Sequence, residues 1–572
     1  MSFSDLFRGL PHIQSSTGFR AIDFVELAVA ALLVLVALFW RPWIEPRLLR
    51  LAKNTWLAML LLAALPVALR LLLLAHHPVP TPDVYDEFSH LLVADTLRHF
   101  RLANPPHALP QFFETFFTLQ QPTYSSIYPL GQGLIMAIGW MIFGLPWAGV
   151  LLAVAAFCAL CYWMLRGWTT PGWALLGGLL AVIQFGPLSQ WTNSYWGGAP
   201  AAAAGCLVFG ALPRLRASGR TRDAVLLGAG LGLHMLIRQY ESIFLVLAVL
   251  LFFAPEMLRG RTAPLRSRLR LAGVALLALS PAVLLTLAQN KAVTGQWTTV
   301  PEMLSRYQYG VPASLTFQNG PVPHRELTPQ QDMDYRMQQA FHQGTETPAS
   351  YFERLEYRVR FYRFFFLPPL YIAAAAFLLA LREYRFVWVA ATLALSALSI
   401  NFFPAWQPHY IAAVTCLFIL VAVTGLERIA RWRTWEHPVG LEIAAVIVFL
   451  CCAHFTFWYG MQAAAESPFS LAARQYETWD SINQLNPALR IAVSRSLARI
   501  PGKLLVFVRY EPNHIFQNEW VYNVADIDSA RVVWARDLGP DENAKLLRYY
   551  PKRKALLFDP DLRPPEMGIY RP

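Results

Sequence analysis

Repeated apolar runs of about 15–22 residues constrain this chain more than any other feature, because a helix of that length can cross a bilayer. Two runs lie before residue 77, and nearly all the others lie between residues 129 and 460. The composition agrees, since 56% of the 572 residues are hydrophobic and 15% are charged, against about 45–50% and about 25% in soluble domains. The sequence predicts a mainly α-helical, polytopic bundle of about 11–13 membrane spans.

The net charge of +12 does not require a nucleic-acid partner, because the basic residues gather in short loops between apolar runs. This is the positive-inside pattern of membrane proteins. The basic clusters are Arg41 to Lys53, Arg214 to Arg222, Arg259 to Arg270 and Arg428 to Arg433. With these loops in the cytoplasm, we expect a multi-pass protein of the inner (plasma) membrane. The path of the chain through residues 129–165 stays open, because counting spans from the two sides gives different answers.

The chain divides into three predicted parts. Residues 1–53 form an N-terminal span and a basic cytoplasmic loop, and residues 54–460 form the membrane domain. Residues 461–572 form a small outer α/β domain, with strand patterns at 504–510, 530–538 and 554–561 and a helix at 542–550. Two outer loops, 77–128 and 289–363, interrupt the membrane domain. The second, of roughly 75 residues, is too long for a simple connection, and it contains an amphipathic stretch near 332–341.

The first outer loop carries closely spaced acids, Asp83 and then Asp86 and Glu87, followed by the helix pattern DEFSHLLVADTLRHF. Asp83 is a natural cap for this helix. Asp86 has two interpretations. It is either an acid in the first turn that favours the helix dipole by about 0.3–1 kcal/mol, or a general base at the mouth of a membrane cavity. Glu87 would then orient Asp86 or shape the acceptor site.

Two aromatic features of this loop also have alternatives. His90 lies one turn after Asp86 and either pairs with it or is a plain interfacial histidine. Phe112, Phe113, Phe116 and Phe117 are spaced to form an aromatic face on one short helix, which we expect to lie in the membrane interface. That helix would anchor the loop, contact a lipid tail, or do both.

The loop motifs resemble those of the GT-C glycosyltransferases. An acidic pair soon after a membrane helix is followed by an Ala-containing helix, a basic residue and Asn-Pro, and then by Tyr128–Pro129–Leu130 opening a Gly-containing span. More narrowly, the pattern is similar to the family 39-like branch that contains the protein O-mannosyltransferases and the lipid A aminoarabinose transferase. The resemblance covers roughly residues 54 to 426. In this chain a single proline precedes Leu130, where the family has Pro-Pro-Leu.

Two later segments extend the resemblance. GLGLHMLIRQY (230–240) resembles the Gly-rich helix that ends in a basic residue, here Arg238. Pro408–His409–Tyr410 resembles the late Arg-Tyr element, with histidine where arginine is usual. The resemblance implies a polyprenyl-phosphate sugar donor and Asp86 as the catalytic base, acting on a lipid, polysaccharide or protein acceptor.

A lipid-phosphate donor needs cations near the outer ends of spans, and ionisable residues within a membrane are candidates for function. We predict donor-phosphate contacts at Arg238 and His409, with Lys291 and Arg306 as further candidates. The alternative for each is an interfacial side chain that snorkels to the surface. The remaining predicted substrate or acceptor residues are Asp83, His90, Tyr128, Trp196 and Tyr240.

The sequence has no strong metal signature. HExxH is absent, and the single CxxC, Cys158 to Cys161, lies alone in an apolar span without a second pair. The resemblance implies an inverting displacement without a required cofactor, and use of a divalent metal stays open.

Two other functions fit part of the pattern. A transporter or flippase of lipid-linked sugars would explain the spans and the buried charges without catalysis. It does not readily explain a long acidic outer loop or an outer α/β domain, and no convincing inverted halves are visible. An oligosaccharide polymerase or ligase would share the lipid-linked donor, and use of a lipid-pyrophosphate donor would favour it.

Overall fold

The computed structural model describes residues 21–82, 84–258, 265–434, 437–463 and 488–571. The helices are α1 (Ala21–Lys53), α2 (Thr55–Leu72), α3 (Tyr85–Arg98), α4 (Leu130–Phe143), α5 (Pro146–Leu165), α6 (Pro171–Phe185), α7 (Gln190–Asn193), α8 (Ala199–Ser218), α9 (Thr221–Ile237), α10 (Gln239–Leu258), α11 (Leu265–Thr294), α12 (Pro301–Tyr309), α13 (Pro329–His342), α14 (Pro348–Val359), α15 (Tyr371–Ala376), α16 (Tyr384–Ile400), α17 (Thr415–Ala430), α18 (Val439–Ala463), α19 (Ala488–Arg499) and α20 (Pro540–Tyr549).

Short elements complete the chain. The strands are β1 (Thr118–Leu119), β2 (Ser125–Ser126), β3 (Leu504–Val508), β4 (Val532–Arg536), β5 (Lys554–Asp559) and β6 (Glu566–Ile569). The 3₁₀-helices are Pro110–Phe113, Arg360–Phe365, Pro368–Leu370, Phe377–Ala380, Pro408–Val414 and Phe516–Asn518.

Six helical segments in the described residues are long and apolar enough to cross a membrane, and five shorter apolar segments accompany them. Their burial separates the centre of the bundle from its periphery. The apolar window within Pro408–Ala430 is 89% buried, whereas that within Arg266–Thr294 is 6% buried and presents its side chains outward. Apolar side chains exposed along a helix of this length suit a lipid environment. The predicted helical membrane bundle with a small C-terminal α/β region is confirmed.

Two glycines allow the close helix contacts that position the loops. A Cβ at Gly133 of α4 would lie 2.2 Å from Val93 Cγ1, so only glycine lets α3 pack this closely on α4. A Cβ at Gly205 of α8 would lie 1.8 Å from the Ala413 carbonyl oxygen, where the 3₁₀-helix Pro408–Val414 packs on α8. These contacts fix the two elements that carry the acidic pair and His409.

The tail folds around a four-stranded sheet of order β4-β3-β5-β6, in which β3 pairs in parallel with β4 and β5, and β6 pairs antiparallel with β5. Every residue of β3 is buried, and successive side chains point to opposite faces. One face packs on α19 through Val493 and Leu497, and the other packs on α20 through Leu546. The predicted strands 504–510, 530–538 and 554–561 correspond to β3, β4 and β5.

The prediction for the four phenylalanines of the first loop is wrong. Only a short 3₁₀-helix, Pro110–Phe113, forms there, and all four rings are at least 92% buried rather than exposed to lipid. Phe112 and Phe113 belong to one apolar cluster with Leu505 and Phe507 of the tail sheet. The aromatic segment therefore fastens the tail domain to the first loop.

Polar contacts strengthen the same interface. Asp95 Oδ2 of α3 accepts a hydrogen bond from the Ala525 backbone N–H at 2.8 Å. The Tyr124 hydroxyl donates to the Asn523 carbonyl oxygen at 2.9 Å. Because buried polar groups are costly unless they are paired, these contacts fix the orientation of the tail domain on α3.

Arg536 of β4 joins three separate parts of the chain. Its guanidinium donates to the Glu114 carbonyl oxygen of the first loop, to Gln330 Oε1 of α13 and to Glu519 Oε2 of the tail, each at 2.8 Å. The Arg536 and Glu519 side chains are 6% and 1% exposed. A buried ion pair of this kind is sensitive to the loss of one partner, because the other charge is then left buried and unpaired.

We expect Arg536→Met to lower stability by about 3–5 kcal/mol, because it leaves the buried Glu519 carboxylate without its cation. The measurement is the unfolding temperature of the purified protein in detergent. Arg336→Met is the matched control, because the side chains of Arg336 and its partner Asp332 are 77% and 40% exposed and exposed pairs contribute about 0–1 kcal/mol. Equal unfolding temperatures for the two variants would contradict the role of Arg536.

Candidate active site

The candidate site begins at the first turn of α3, which starts at Tyr85 with Val84 at the N-cap position. Asp83, which the sequence predicts as the cap of this helix, lies outside the described residues. Glu87 performs the capping, since its Oε2 accepts the Val84 backbone N–H at 3.3 Å. Its Oε1 accepts the Tyr195 backbone N–H at 2.9 Å. Glu87 thus fixes the backbone on both sides of the site.

The turn 193–198, between α7 and α8, is held beside α3 by a buried arginine. Arg70 of α2 is 1% exposed. Its guanidinium donates to Asn193 Oδ1 at 2.6 Å and to the carbonyl oxygens of His77 and Pro78 at 2.9 and 3.0 Å. The start of the first loop and the turn are therefore tied to the same side chain, which places Trp196 next to α3.

Asp86 lies in the first turn of α3, and two aromatic side chains, Tyr128 and Trp196, act on its carboxylate. The Tyr128 hydroxyl donates a hydrogen bond to Asp86 Oδ1. The indole Nε1 of Trp196 is buried and has no regular hydrogen-bond partner in the described residues, and it lies close enough to favour the Asp86 carboxylate. Burial raises the pKa of Asp86 to about 6, while Tyr128, Trp196 and the charge of Arg238 oppose that shift. A carboxyl group with this pKa is suited to general base catalysis near neutral pH.

His90 does not pair with Asp86. Its ring stacks on Tyr128 with centroids 4.1 Å apart and an interplanar angle of 21°, and Phe117 meets Tyr128 edge-on at 5.9 Å. Burial lowers the pKa of His90 to about 3, and the charge of Arg238 contributes, so the ring is neutral. His90 and Phe117 together fix the ring whose hydroxyl binds Asp86.

Arg238 brings a positive charge to the site from the junction of α9 and α10. Its guanidinium lies over the Tyr410 ring at 4.4 Å, a cation–π contact, and its Nη1 is 3.7 Å from Glu241 Oε1. No hydrogen bond from this guanidinium occurs within the described part of the chain. Arg238 acts electrostatically on Asp86, His90 and His409, so it lies among them with donors available for an anion.

The 3₁₀-helix Pro408–Val414 supplies His409 and Tyr410. The His409 ring lies 5.7 Å from the Trp196 ring and 4.9 Å from the Tyr410 ring. The structure therefore gathers Asp86, Glu87, His90, Tyr128, Trp196, Arg238 and His409, from five separate segments.

Three other predicted residues make their contacts elsewhere. Lys291 is exposed, and its Nζ donates to the Gly295 carbonyl oxygen at 2.7 Å, at the end of its own helix. The Arg306 guanidinium binds Glu302 and the carbonyl oxygens of Pro312 and Ala313. The Tyr240 hydroxyl donates to the Ser399 carbonyl oxygen at 3.1 Å. Each of these polar groups is engaged by the chain itself.

Sequence reasoning missed a second acid, Asp334 of α13. It is fully buried, and Gln338 Nε2 donates to both of its carboxylate oxygens at 3.0 and 3.1 Å. Burial raises the pKa of Asp334 to about 7, and the negative charge of Asp86 contributes. Both acids also act on Tyr85. Burial raises the pKa of the Tyr85 hydroxyl, and the negative charges of Asp334 and Asp86 raise it further.

The available signal for Asp334 was the amphipathic stretch predicted near 332–341, which is part of α13 (Pro329–His342). Residues 331, 334 and 338 share one side of such a helix at spacings of three and four. That spacing indicates that one side of the helix is polar and faces the protein. It does not show which part of the bundle this side contacts.

The arrangement offers a base and a cation rather than a metal-binding cluster. Among the described residues, no three His, Cys, Asp or Glu side chains gather in a way that could hold a metal ion. The chemistry available from the residues present is proton removal at Asp86 and stabilisation of negative charge at Arg238.

We expect Tyr128→Phe to raise the pKa of Asp86, because the variant removes a hydrogen bond that favours the carboxylate. The measurement is the pH dependence of the carboxyl C=O band in infrared difference spectra, with Asp86→Asn used to assign the band. The wild-type band should be half-protonated near pH 6, and the Tyr128→Phe midpoint should lie higher. Tyr240→Phe, which removes a hydroxyl bonded to Ser399, should leave the midpoint in place. An unchanged or lower midpoint in Tyr128→Phe would contradict the assignment.

Comparison with known proteins gives structural similarity only. Neither the models of protein families nor the curated proteins yield a match. The crystal structure of apo ArnT from Cupriavidus metallidurans is 13% identical, with a TM-score of 0.50 over 89% of this chain and 93% of ArnT. ArnT bound to undecaprenyl phosphate is 12% identical, with a TM-score of 0.49 over 87% and 92%. An Archaeoglobus fulgidus oligosaccharyltransferase tethered with an acceptor peptide is 13% identical, with a TM-score of 0.46 over 88% and 68%. The match to apo ArnT along nearly the whole of both chains shows that this protein has a GT-C fold, as its motifs predicted.

Proposed function

We propose that this protein is an integral membrane glycosyltransferase of the GT-C type. It moves a sugar from a polyprenyl-phosphate donor to an acceptor, and Asp86 is the general base. The observation that carries the proposal is a partly buried carboxyl group, with a pKa of about 6, on which the charge of Arg238 acts. The Arg238 guanidinium has no hydrogen-bond partner in the described residues. A site with both groups can remove a proton and stabilise a leaving anion.

The donor side of the reaction is assigned to Arg238. A polyprenyl-phosphate sugar is a phosphodiester that carries one negative charge next to its lipid chain, so its phosphate lies near the membrane surface. Arg238 lies at the end of α9, where the apolar helix α10 begins. Arginine forms strong, charge-assisted hydrogen bonds to phosphate oxygens. His409 lies near enough to help orient the donor, and Lys291 and Arg306 have no assigned part because their polar groups are engaged elsewhere.

The acceptor side is assigned to Asp86. The carboxylate accepts a proton from the acceptor hydroxyl or amine as that group attacks the anomeric carbon of the sugar. The bond between the anomeric carbon and the phosphate oxygen breaks, and polyprenyl phosphate leaves with the bonding electron pair. Arg238 stabilises the charge that develops on the leaving phosphate, which is where a fixed cation lowers a transition-state barrier most effectively.

The remaining groups position these two. Tyr128 and Trp196 orient the base, and Glu87 fixes the backbone around it. The second loop and the tail domain both contact α3, through the packing of Tyr335 near Tyr85 and the stacking of Tyr522 on Phe88. These contacts support a role for both parts in shaping the acceptor site. The positive-inside pattern supports a site on the outer face of the inner (plasma) membrane, and the proposed acceptor is a lipid, a polysaccharide or a protein.

We expect Asp86→Asn to lower kcat about 10³-fold, because general base catalysis typically contributes 10²–10⁴-fold. The measurement is transfer of radiolabelled sugar from a panel of polyprenyl-phosphate sugars by the purified protein. Wild-type activity should fall as the pH drops below about 6, where Asp86 becomes protonated. Asp332→Asn is the control, because Asp332 pairs with Arg336 and is 40% exposed. Full activity in Asp86→Asn would show that another group is the base.

We expect Arg238→Gln to raise the donor KM and to lower kcat, so that kcat/KM falls about 10- to 100-fold, because hydrogen bonds to charged groups contribute about 1.5–3 kcal/mol. The same transfer assay at varied donor concentration measures this. Arg336→Gln, at an exposed arginine of α13, removes the same charge from the loop surface and should leave the KM within about twofold. Donor binding without turnover in wild-type protein would favour a carrier or flippase of lipid-linked sugars.

A further inference from the structure

Glu241 places a negative charge next to Arg238, the cation of the candidate site. It lies in the first turn of α10, three residues after Arg238, and its Oε1 is 3.7 Å from Arg238 Nη1. The Glu241 side chain is 9% exposed and that of Arg238 is 21% exposed, so solvent screens this pair weakly. Glu241 Oε1 has no hydrogen-bond partner in the described residues, and at 3.7 Å the pair is a charge contact rather than a hydrogen bond.

The surroundings hold Glu241 near Arg238 without neutralising it. Its side chain lines a small cavity of about 20 Å³ together with His234, Thr392 and Tyr410. His234 Nδ1 lies 2.7 Å from the Ser242 hydroxyl rather than bonding to Glu241, and Thr392 Oγ1 also has no hydrogen-bond partner in the described part of the chain. Arg238 is therefore the cation that balances the Glu241 carboxylate.

This placement matters for a reaction that changes the charge of a bound phosphate. A polyprenyl-phosphate sugar carries one negative charge, whereas a phosphate monoester carries about −1.5 to −2 at pH 7. A lone arginine would hold the product more tightly than the donor. A carboxylate beside the arginine weakens its attraction for any anion, and it does so more for the more highly charged one.

We propose, on the basis of the proposed function, that Glu241 is a positioning residue that reduces the hold of Arg238 on the leaving polyprenyl phosphate and so sets the rate of product release. It touches neither the sugar nor the acceptor, and it acts through Arg238. Because the carboxylate lies 3.7 Å from Nη1 of Arg238, the other guanidinium N–H groups stay available for the phosphate.

The test measures the Kd of a short-chain polyprenyl monophosphate for the full-length protein in nanodiscs, by isothermal titration. We expect Glu241→Gln, which keeps the size and removes the charge, to bind about five- to tenfold more tightly than wild type. Glu241→Asp keeps the charge and should stay within about twofold of wild type. A purely structural role would have the opposite sign, because a disordered Arg238 would bind the phosphate more weakly.

Glu383→Gln is the matched control. Glu383 is also paired with arginines, Arg385 and Arg428, and it lies at the opposite end of α16 from the site. The Kd of Glu383→Gln for the polyprenyl monophosphate should equal that of wild type. Weaker or unchanged binding in Glu241→Gln, with normal binding in wild type, would overturn this inference and leave the proposed function standing. Absence of binding in wild type would overturn both.

Discussion

The Glu87 carboxylate holds together the segments on which the candidate site depends. It is 5% exposed and accepts backbone N–H groups from two distant parts of the chain, Val84 before α3 and Tyr195 in the turn 193–198. A buried carboxylate is tolerated only where such donors compensate it. Trp196 directly follows Tyr195, so the same contact brings its indole to Asp86. The two acids thus have different roles. Glu87 holds the backbone segments of the site together, and Asp86 is the proposed general base.

Local patterns in the sequence predict the helices and strands, but they do not predict how these elements pack against one another. The α3 helix and strands β3, β4 and β5 follow from hydrophobic periodicity, which neighbouring residues determine. Phe112 and Phe113 show the limit, because their spacing fits burial against lipid or against protein equally well, and the tail sheet that covers them lies about 400 residues later. Asp334 was missed for the same reason: its helix was recognised, whereas the side that faces Asp86 depends on how the second loop folds back.

The charges of the site are arranged in two opposed sets. Asp86 and the buried Asp334 have pKa values raised to about 6 and about 7, so proton uptake and release occur near neutral pH. Arg238 lies 3.7 Å from its counter-ion Glu241, its guanidinium packs over the Tyr410 ring, and its charge acts on Asp86. Carboxyl groups whose pKa values are shifted by burial and by a nearby charge are typical of catalytic sites. Here burial by aromatic side chains provides that environment.

In the proposed reaction Arg238 stabilises the leaving phosphate of the donor, and Asp86 activates the acceptor that attacks the anomeric carbon from the other side. The most direct measurement is an electron cryomicroscopy structure of the protein in nanodiscs with a non-transferable polyprenyl-phosphonate sugar analogue. We expect the phosphonate within hydrogen-bonding distance of the Arg238 guanidinium and the anomeric carbon facing the Asp86 carboxylate. An analogue bound with its phosphonate away from Arg238, or with its sugar away from Asp86, would contradict it.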